Sequence, residues 1–285
     1  MSKWLIALVC ILIALWSLFP AYLTLQTSLL GGFRIASPLD IIPHLKLINW
    51  RLLPWKWFLP WIKNSLIVCG LFAFLATFLT LLAGYGFAKY DFPGKEILFW
   101  VLLLSMMIPG VAMFLPKFLI TKDLGLFGNY GGLIFPLYAN AAGIFLIRQY
   151  YQSLSDEMLD AARIDGANEF QLFRYIVIPL TVSMAIYFFV GAFMSQWGNF
   201  MWQFIIAKGA DLRTFAVGSA LFIIGSTEVV AAGSAGDPGW LTTLGGSVAG
   251  LQAAMSIVQA VPILIFYAVG QRFFIENLRF GVVQE

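Results

Sequence analysis

SLSDEMLDAARIDGANEFQLFRYIVIP, residues 153–179, is a charged, helix-patterned island between two long apolar runs. A chain that keeps such a hairpin between hydrophobic stretches presents it to something outside the lipid. Ser155 is a candidate N-cap, and Asp156 and Glu157 follow in the first turn, where carboxylates favour the positive helix end. Met158, Leu159 and Ala162 fall on one face at helical spacing, and Ala161 with Ala162 keeps the helix thin. Gly166 is placed to take the left-handed conformation that closes it. Asn168 followed by Gln171 reads as a capping box for a second short helix with Phe170, Phe173 and Tyr175 on its aromatic side. Pro179, which has no N–H to donate, suits the first turn of the next span. The pattern predicts helix, tight turn, helix. Such a knuckle either rests on a membrane surface or enters a protein groove. Alanines in place of deeply inserting side chains, and acids mixed with bases, favour the groove.

The rest of the chain sets the environment. Of its 285 residues 61% are hydrophobic and 11% charged, with a mean hydropathy of +0.87. A soluble domain has about 45–50% apolar and about 25% charged residues. Six intervals of twenty or more residues lack any charge: 4–33, 64–88, 97–116, 124–147, 175–207 and 238–271. About 20 helical residues cross a hydrocarbon core, so spans are expected near 5–25, 65–87, 97–118, 131–148, 178–203 and 249–271. The shorter run 214–227 suits a re-entrant or interfacial helix. No run has the strict alternation of a spanning strand. The charge-free run in segment 1–30 exceeds a signal-peptide core, so it reads as a retained first span. Cys10 and Cys69 lie inside apolar spans and read as small buried hydrophobes.

A cytoplasmic N-terminus places Lys3, Lys89, Lys95, Arg148, Arg163, Arg174, Arg272 and Arg279 inside, against Lys117, Lys122, Lys208 and Arg213 in later outside loops. That distribution fits the positive-inside rule. Arg34, Lys46, Arg51, Lys56 and Lys63 run against it, but INWRLLPWKWFLPWI (48–62) mixes Trp, bases and Pro in the manner of a segment at headgroup level.

Asp160-Ala161-Ala162-Arg163-Ile164-Asp165-Gly166-Ala167, with Pro179 twelve residues beyond, resembles the EAA loop of bacterial and archaeal ABC importer permeases. Asn64-Ser65, Tyr90-Asp91-Phe92-Pro93-Gly94-Lys95, Met107-Ile108-Pro109, Phe145-Leu146-Ile147-Arg148-Gln149, Trp197-Gly198-Asn199-Phe200-Met201-Trp202, Leu212-Arg213-Thr214, Val217-Gly218 and Gln271-Arg272 resemble the carbohydrate-uptake subfamily. Over about residues 1–280 the pattern is similar to its six-span subunits of the maltose permease G type. The resemblance implies an all-α integral membrane protein of the type I ABC importer permease fold. Residues 1–63 would hold the first transmembrane helix and an extracytoplasmic interfacial segment. Residues 64–275 would form a permease core of five further spans with the coupling loop 153–179, and 276–285 a cytoplasmic tail. It implies a non-catalytic subunit of a bacterial or archaeal cytoplasmic membrane, with both termini cytoplasmic. Its partners would be a second homologous permease, two copies of an ATPase that bind ATP and Mg, and an extracytoplasmic substrate-binding protein. No cofactor on this chain and no nucleic acid are implied. Glu157, Met158, Leu159, Asp160, Ala161, Ala162, Ile164, Asp165, Gly166 and Phe170 would form the ATPase-coupling surface. Three departures stand out. Asp160 replaces the usual Glu, the segment Ile224–Ser247 is long and glycine-rich and a candidate contact for the binding protein, and the tail Phe280–Glu285 lacks the usual basic ending.

Other chemistries find little support in the sequence. There is no GxxxxGK[ST] phosphate loop. The lone histidine, His44, reads as a plain surface residue, and acids are absent from the spans, which leaves a proton relay without carriers. Asn140, Gln196, Trp197, Asn199, Trp202, Gln203 and Gln259 are candidates for the solute pathway, since amides and indoles offer hydrogen bonds and stacking faces to a sugar. The competing reading is that such groups join neighbouring helices or sit in an interfacial aromatic belt. Pro109 and Pro116 are expected to free carbonyls and loosen the third span. Together these features point to the permease of an ATP-driven importer for sugars or oligosaccharides. An importer of a polyol, glycerol phosphate or acidic oligosaccharide is the alternative, with a secondary transporter as a more distant one.

Overall fold

The computed structural model describes residues 3–30, 46–136, 140–231 and 244–280, without the side chains of 225–231, 269–270 and 272–280. The described residues are helical, with no strand among them. In chain order the helices are α1 (Lys3–Leu29), α2 (Ile48–Arg51), α3 (Trp55–Lys89), α4 (Lys95–Ser105), α5 (Phe114–Asp123), α6 (Tyr130–Ile134), α7 (Ala141–Gln152), α8 (Asp156–Ile164) and α9 (Glu169–Leu172). A π-helical turn, Phe173–Val177, leads on to α10 (Ile178–Leu180), α11 (Val182–Trp197), α12 (Phe200–Ile206), α13 (Phe215–Ala231) and α14 (Val248–Phe280). His44, residues 232–243 of the glycine-rich loop and residues 281–285 lie outside the described residues.

Three helices are long and apolar enough to cross a membrane unbroken: Lys3–Leu29, Trp55–Lys89 and Val248–Ala268. A fourth candidate is a pair, Glu169–Leu180 and Val182–Trp197, bent by 79°. The intervals expected to hold the third and fourth spans are each built from shorter pieces. After α4 the chain turns through Met106–Met113 around Pro109, which lacks an N–H for the ladder, and resumes as α5. Pro116 does not loosen that helix, contrary to expectation. It lies in the first turn of α5, where N–H groups have no intrahelical partner in any case. In the next interval Asn129 caps α6, accepting from Gly132 N at 3.1 Å, and Asn140 caps α7, accepting from Gly143 N at 3.0 Å. Two N-caps in one apolar run mark two helix starts. The run 214–227 forms α13, a helix of 17 residues.

The chain divides into two compact units, Met1–Ile62 with Phe215–Leu264, and Lys63–Thr214 with Ile265–Glu285. In the first, Leu53, Phe58, Trp61, Phe215, Leu251 and Met255 share a core. The segment expected at headgroup level is therefore two-sided: Leu53, Phe58 and Trp61 are buried, while Trp55, Trp57 and Leu59 are exposed. Asn49, fully buried, donates to the carbonyls of Ser28 (3.1 Å) and Leu30 (2.6 Å) and accepts from Ser247 N (3.1 Å), tying α1, α2 and the start of α14. Gly250 admits that side chain, since a Cβ there would lie 2.1 Å from the Asn49 amide nitrogen.

In the second unit Leu81, Tyr85, Ile147, Tyr151, Leu159, Phe173, Val177 and Phe188 form a core where α3, α7, α8 and the π-helical turn meet. Gly84 lets α3 and α7 approach, because a Cβ would fall 2.3 Å from Ile147 Cγ2. A smaller cluster joins Val68, Leu133, Ile134, Trp202 and Ile206.

Candidate functional site: a braced hairpin and a groove

Two places in the second unit combine defined geometry with available chemistry. The first is the hairpin of residues 153–181. Gly166 stands at φ +89° and closes α8 with a Schellman pattern, Ala167 N to Ala162 O and Gly166 N to Arg163 O, both 3.0 Å. The Asn168 box forms in both directions, Gln171 N to Asn168 Oδ1 at 2.9 Å and Asn168 N to Gln171 Oε1 at 2.8 Å. Ser155 occupies the N-cap position of α8, but its side chain makes no capping bond. The start of α8 is held instead by Lys89, whose Nζ donates to Leu154 O (2.7 Å) and Asp156 Oδ1 (2.6 Å). Thr181 terminates the second arm: its hydroxyl donates to Val177 O at 2.8 Å, beside the 79° bend into α11. Pro179 consequently sits in the arm before the bend, and the long helix starts at Val182.

A charged network crosses the hairpin. Arg163 donates to Asp160 Oδ1 at 2.8 Å and to Glu169 Oε1 at 3.1 Å, and the Tyr90 hydroxyl donates to Glu169 Oε2. The Tyr90 bond and the Arg163 guanidinium hold the Glu169 carboxyl below the usual carboxylate range, and Lys89 does the same for Asp156. Burial and the bond to Glu169 push the Tyr90 hydroxyl up, while Glu169 and Asp160 push Arg163 up. Asp160 is thus engaged within the loop. Sequence reasoning passed over Lys89, Tyr90, Arg163 and Glu169 as site residues. Arg163 and Tyr90 stand within the quoted family motifs, and Arg163 lies three residues from Asp160 and six from Glu169.

The face expected to carry Met158, Leu159 and Ala162 together is split. Leu159 is 1% exposed and belongs to the internal core, and Ala162 is half-buried. Ile164, at 87% exposure, Phe170, at 68%, and Met158 point outward together with Glu157, Asp160, Ala161 and Asp165. One side of the hairpin is anchored and the other presents apolar side chains among acids.

The second place concerns the candidate pathway residues. Gln196 Nε2 donates to Leu133 O (3.1 Å), Gln203 Nε2 to Gln196 O (2.6 Å), Asn199 Nδ2 to Gln196 Oε1 (3.1 Å), and Trp202 Nε1 to Gly132 O (3.0 Å). Thr214 donates to Gln203 Oε1, Trp197 stacks on Phe193 with centroids 5.6 Å apart, and Lys117 lies 4.3 Å over the Trp202 ring. Gln196, Trp197, Trp202 and Gln203 are all buried in this knot, which ties α6 to α11 and α12. Asn140 lies apart from them. It is exposed on a groove of about 410 Å³ lined also by Thr77, Thr80, Ser105, Ala142, Phe188 and Ser195. Gln259 is half-buried on α14 in the other unit.

Residues 76–276 match the family of binding-protein-dependent transport system inner membrane components, and the chain belongs to it. The chain is 30% identical over 284 residues to the arabinooligosaccharides transport system permease protein AraQ of Bacillus subtilis (strain 168), covering 96% of this chain and 92% of the relative. It is 31% identical over 212 residues to the sn-glycerol-3-phosphate transport system permease protein UgpE of Yersinia pestis bv. Antiqua (strain Antiqua), covering 70% and 75%. Its fold matches, with a TM-score of 0.80 and 23% identity over 96% of this chain and 99% of the other, a chain in the crystal structure of a bacterial ABC transporter involved in the import of the acidic polysaccharide alginate.

Proposed function

We propose that this chain is one of two membrane-spanning permeases of an ATP-driven importer for oligosaccharides, and that its 153–181 hairpin receives the work of a separate ATPase. The observation that carries the proposal is the division of the hairpin into an anchored and an outward face. Ile164 and Phe170 expose large apolar surfaces on a loop that is otherwise fixed by Leu159, Lys89 and the Arg163 network. Exposed apolar groups on a rigid mount suit a partner's groove.

Membership of the family supports the remaining parts of the proposal. A second, similar permease completes the pathway, two ATPase copies bind ATP and Mg, and an extracytoplasmic binding protein delivers the solute. Both termini are cytoplasmic in a bacterial or archaeal inner membrane, and Glu157, Met158, Asp160, Ala161, Ile164, Asp165 and Phe170 meet the ATPase. Leu159, Ala162 and Gly166 hold the shape of that surface from within. Closure of the ATPases displaces the hairpin as a body, and the displacement reaches α3 through Lys89 and α11 through the Thr181 bend. The buried residues Gln196, Trp197, Trp202 and Gln203, with the capping Asn199, position the helices that frame the pathway. The test is co-expression with candidate ATPases and reconstitution in proteoliposomes. ATP-dependent solute uptake that is lost in Ile164→Asp/Phe170→Asp is expected. Uptake by the chain alone under an ion gradient overturns the proposal.

A further inference from the structure

The stretch that leads from α2 into α3 carries positive charge that the described structure leaves unbalanced. Between Asp40 and Asp91 the sequence holds no acid. Lys46, Arg51 and Lys56 are exposed, and none of them makes an ion pair among the described residues. Basic residues elsewhere are met by acids. Lys89, Lys95, Arg148 and Arg163 each pair with a carboxylate, and Lys122 adjoins Asp123 in the sequence.

The length of α3 fixes the depth of this stretch. Its 35 residues rise about 52 Å, well beyond a hydrocarbon core of about 30 Å. The uncharged residues 64–88 alone rise about 37 Å and suffice to cross that core. The turns before them therefore stand among the headgroups, where Trp collects and the long stems of Lys and Arg carry their charges toward phosphate.

At that depth the outward side is apolar as well as basic, and it is held in place. Trp55 and Trp57 are half exposed and Leu59 is 72% exposed, whereas Leu53, Phe58 and Trp61 fill the core behind them. The Trp55 indole N–H donates to Trp50 O at 3.3 Å, and its ring meets Phe58 edge-on with centroids 5.5 Å apart. Such a surface seats indoles and leucine at the acyl boundary while the cations reach the headgroups. A soluble acidic protein would match the charge, but it would have to cover Trp55, Trp57 and Leu59 at a depth where lipid already meets them.

We infer that this face is a docking surface for anionic phospholipid, with Lys46, Arg51 and Lys56 receiving the headgroup phosphates and Trp55, Trp57 and Leu59 seated beside the acyl chains. A zwitterionic headgroup carries its own ammonium and gains less from these cations, so the surface prefers a net negative lipid. The inference goes beyond the importer function. Under the orientation proposed above the leaflet is the outer one, and the test does not depend on that assignment.

The test places p-benzoylphenylalanine at position 59 of the full chain, in the complete importer, in bilayers of equal parts phosphatidylglycerol and phosphatidylcholine with each lipid radiolabelled in turn. A basic residue near an anionic surface is worth about a fivefold preference. One or two cations per headgroup should therefore favour crosslinking of phosphatidylglycerol about 5- to 25-fold. Lys46→Gln/Arg51→Gln/Lys56→Gln should bring the ratio close to one, and the charge-keeping Lys46→Arg/Arg51→Lys/Lys56→Arg should retain it. Equal crosslinking of the two lipids in the natural background, or a preference that survives the glutamine variant, overturns the inference. A crosslink to the binding protein or the second permease with none to lipid overturns it too. All three side chains are exposed, so the glutamine variant should melt with the natural chain in pure phosphatidylcholine. A fall there would assign the cations to the fold and overturn the inference.

Discussion

Truncation of Ile164 separates docking from folding. In the free chain this side chain is 87% exposed, so Ile164→Ala removes little packing and should change stability by no more than about 0.5 kcal/mol. The docking proposed above would cover the same side chain. Burial of an isoleucine is worth about 1.5–3 kcal/mol, and each 1.4 kcal/mol is about a tenfold change in affinity. The dissociation constant for the ATPase should therefore rise about 10- to 100-fold while the melting temperature stays put. The assay is biolayer interferometry of ATPase against the permease pair in lipid nanodiscs, alongside thermal unfolding of the same samples. Unchanged affinity would refute the docking role, and a large drop in melting temperature would show that Ile164 belongs to the fold.

Leu159→Ala should behave in the opposite way: from its place in the internal core, a loss of about 2–5 kcal/mol is expected, read as a lowered melting temperature, and a stability like that of the natural chain would contradict the anchor. A Cβ added at Gly166 meets no heavy atom within 4 Å, but Gly166→Val must hold φ near +89°, a conformation costing an L-residue about 1–2 kcal/mol. Hydrogen exchange in residues 156–172 should accelerate, and unchanged protection would show that the turn adapts. The depressed Glu169 and Asp156 carboxyls stabilise the hairpin above their unfolded values of about 4, and that contribution is lost as pH falls through the folded values. Loosening of the hairpin should begin only below about pH 4 and be reduced in Glu169→Gln, and loosening centred near neutral pH would contradict the assignment.

Two local signals in the island read correctly, while the Ser155 side-chain cap did not form. Gly166 and the Asn168–Gln171 box depend on residues no more than a few positions apart, and each formed as its chemistry requires. The inward turn of Leu159 was not legible, because its core partners Tyr85, Tyr151 and Phe173 come from distant parts of the chain. Gln196 and Trp202 present the same difficulty: an amide or indole in an apolar run looks identical whether it meets a solute or, as here, carbonyls 63 and 70 residues away. Charge-free length also overstated continuity. It locates apolar sequence, but the break at Pro109 and the second cap at Asn140 divide two of the expected spans into shorter helices.

The most direct measurement of the coupling claim is photo-crosslinking from p-benzoylphenylalanine placed at position 164 in the assembled importer. The account predicts a crosslink to the ATPase subunit that is lost when Phe170→Asp prevents docking. A crosslink to lipid alone, or to the second permease with none to the ATPase, would contradict it.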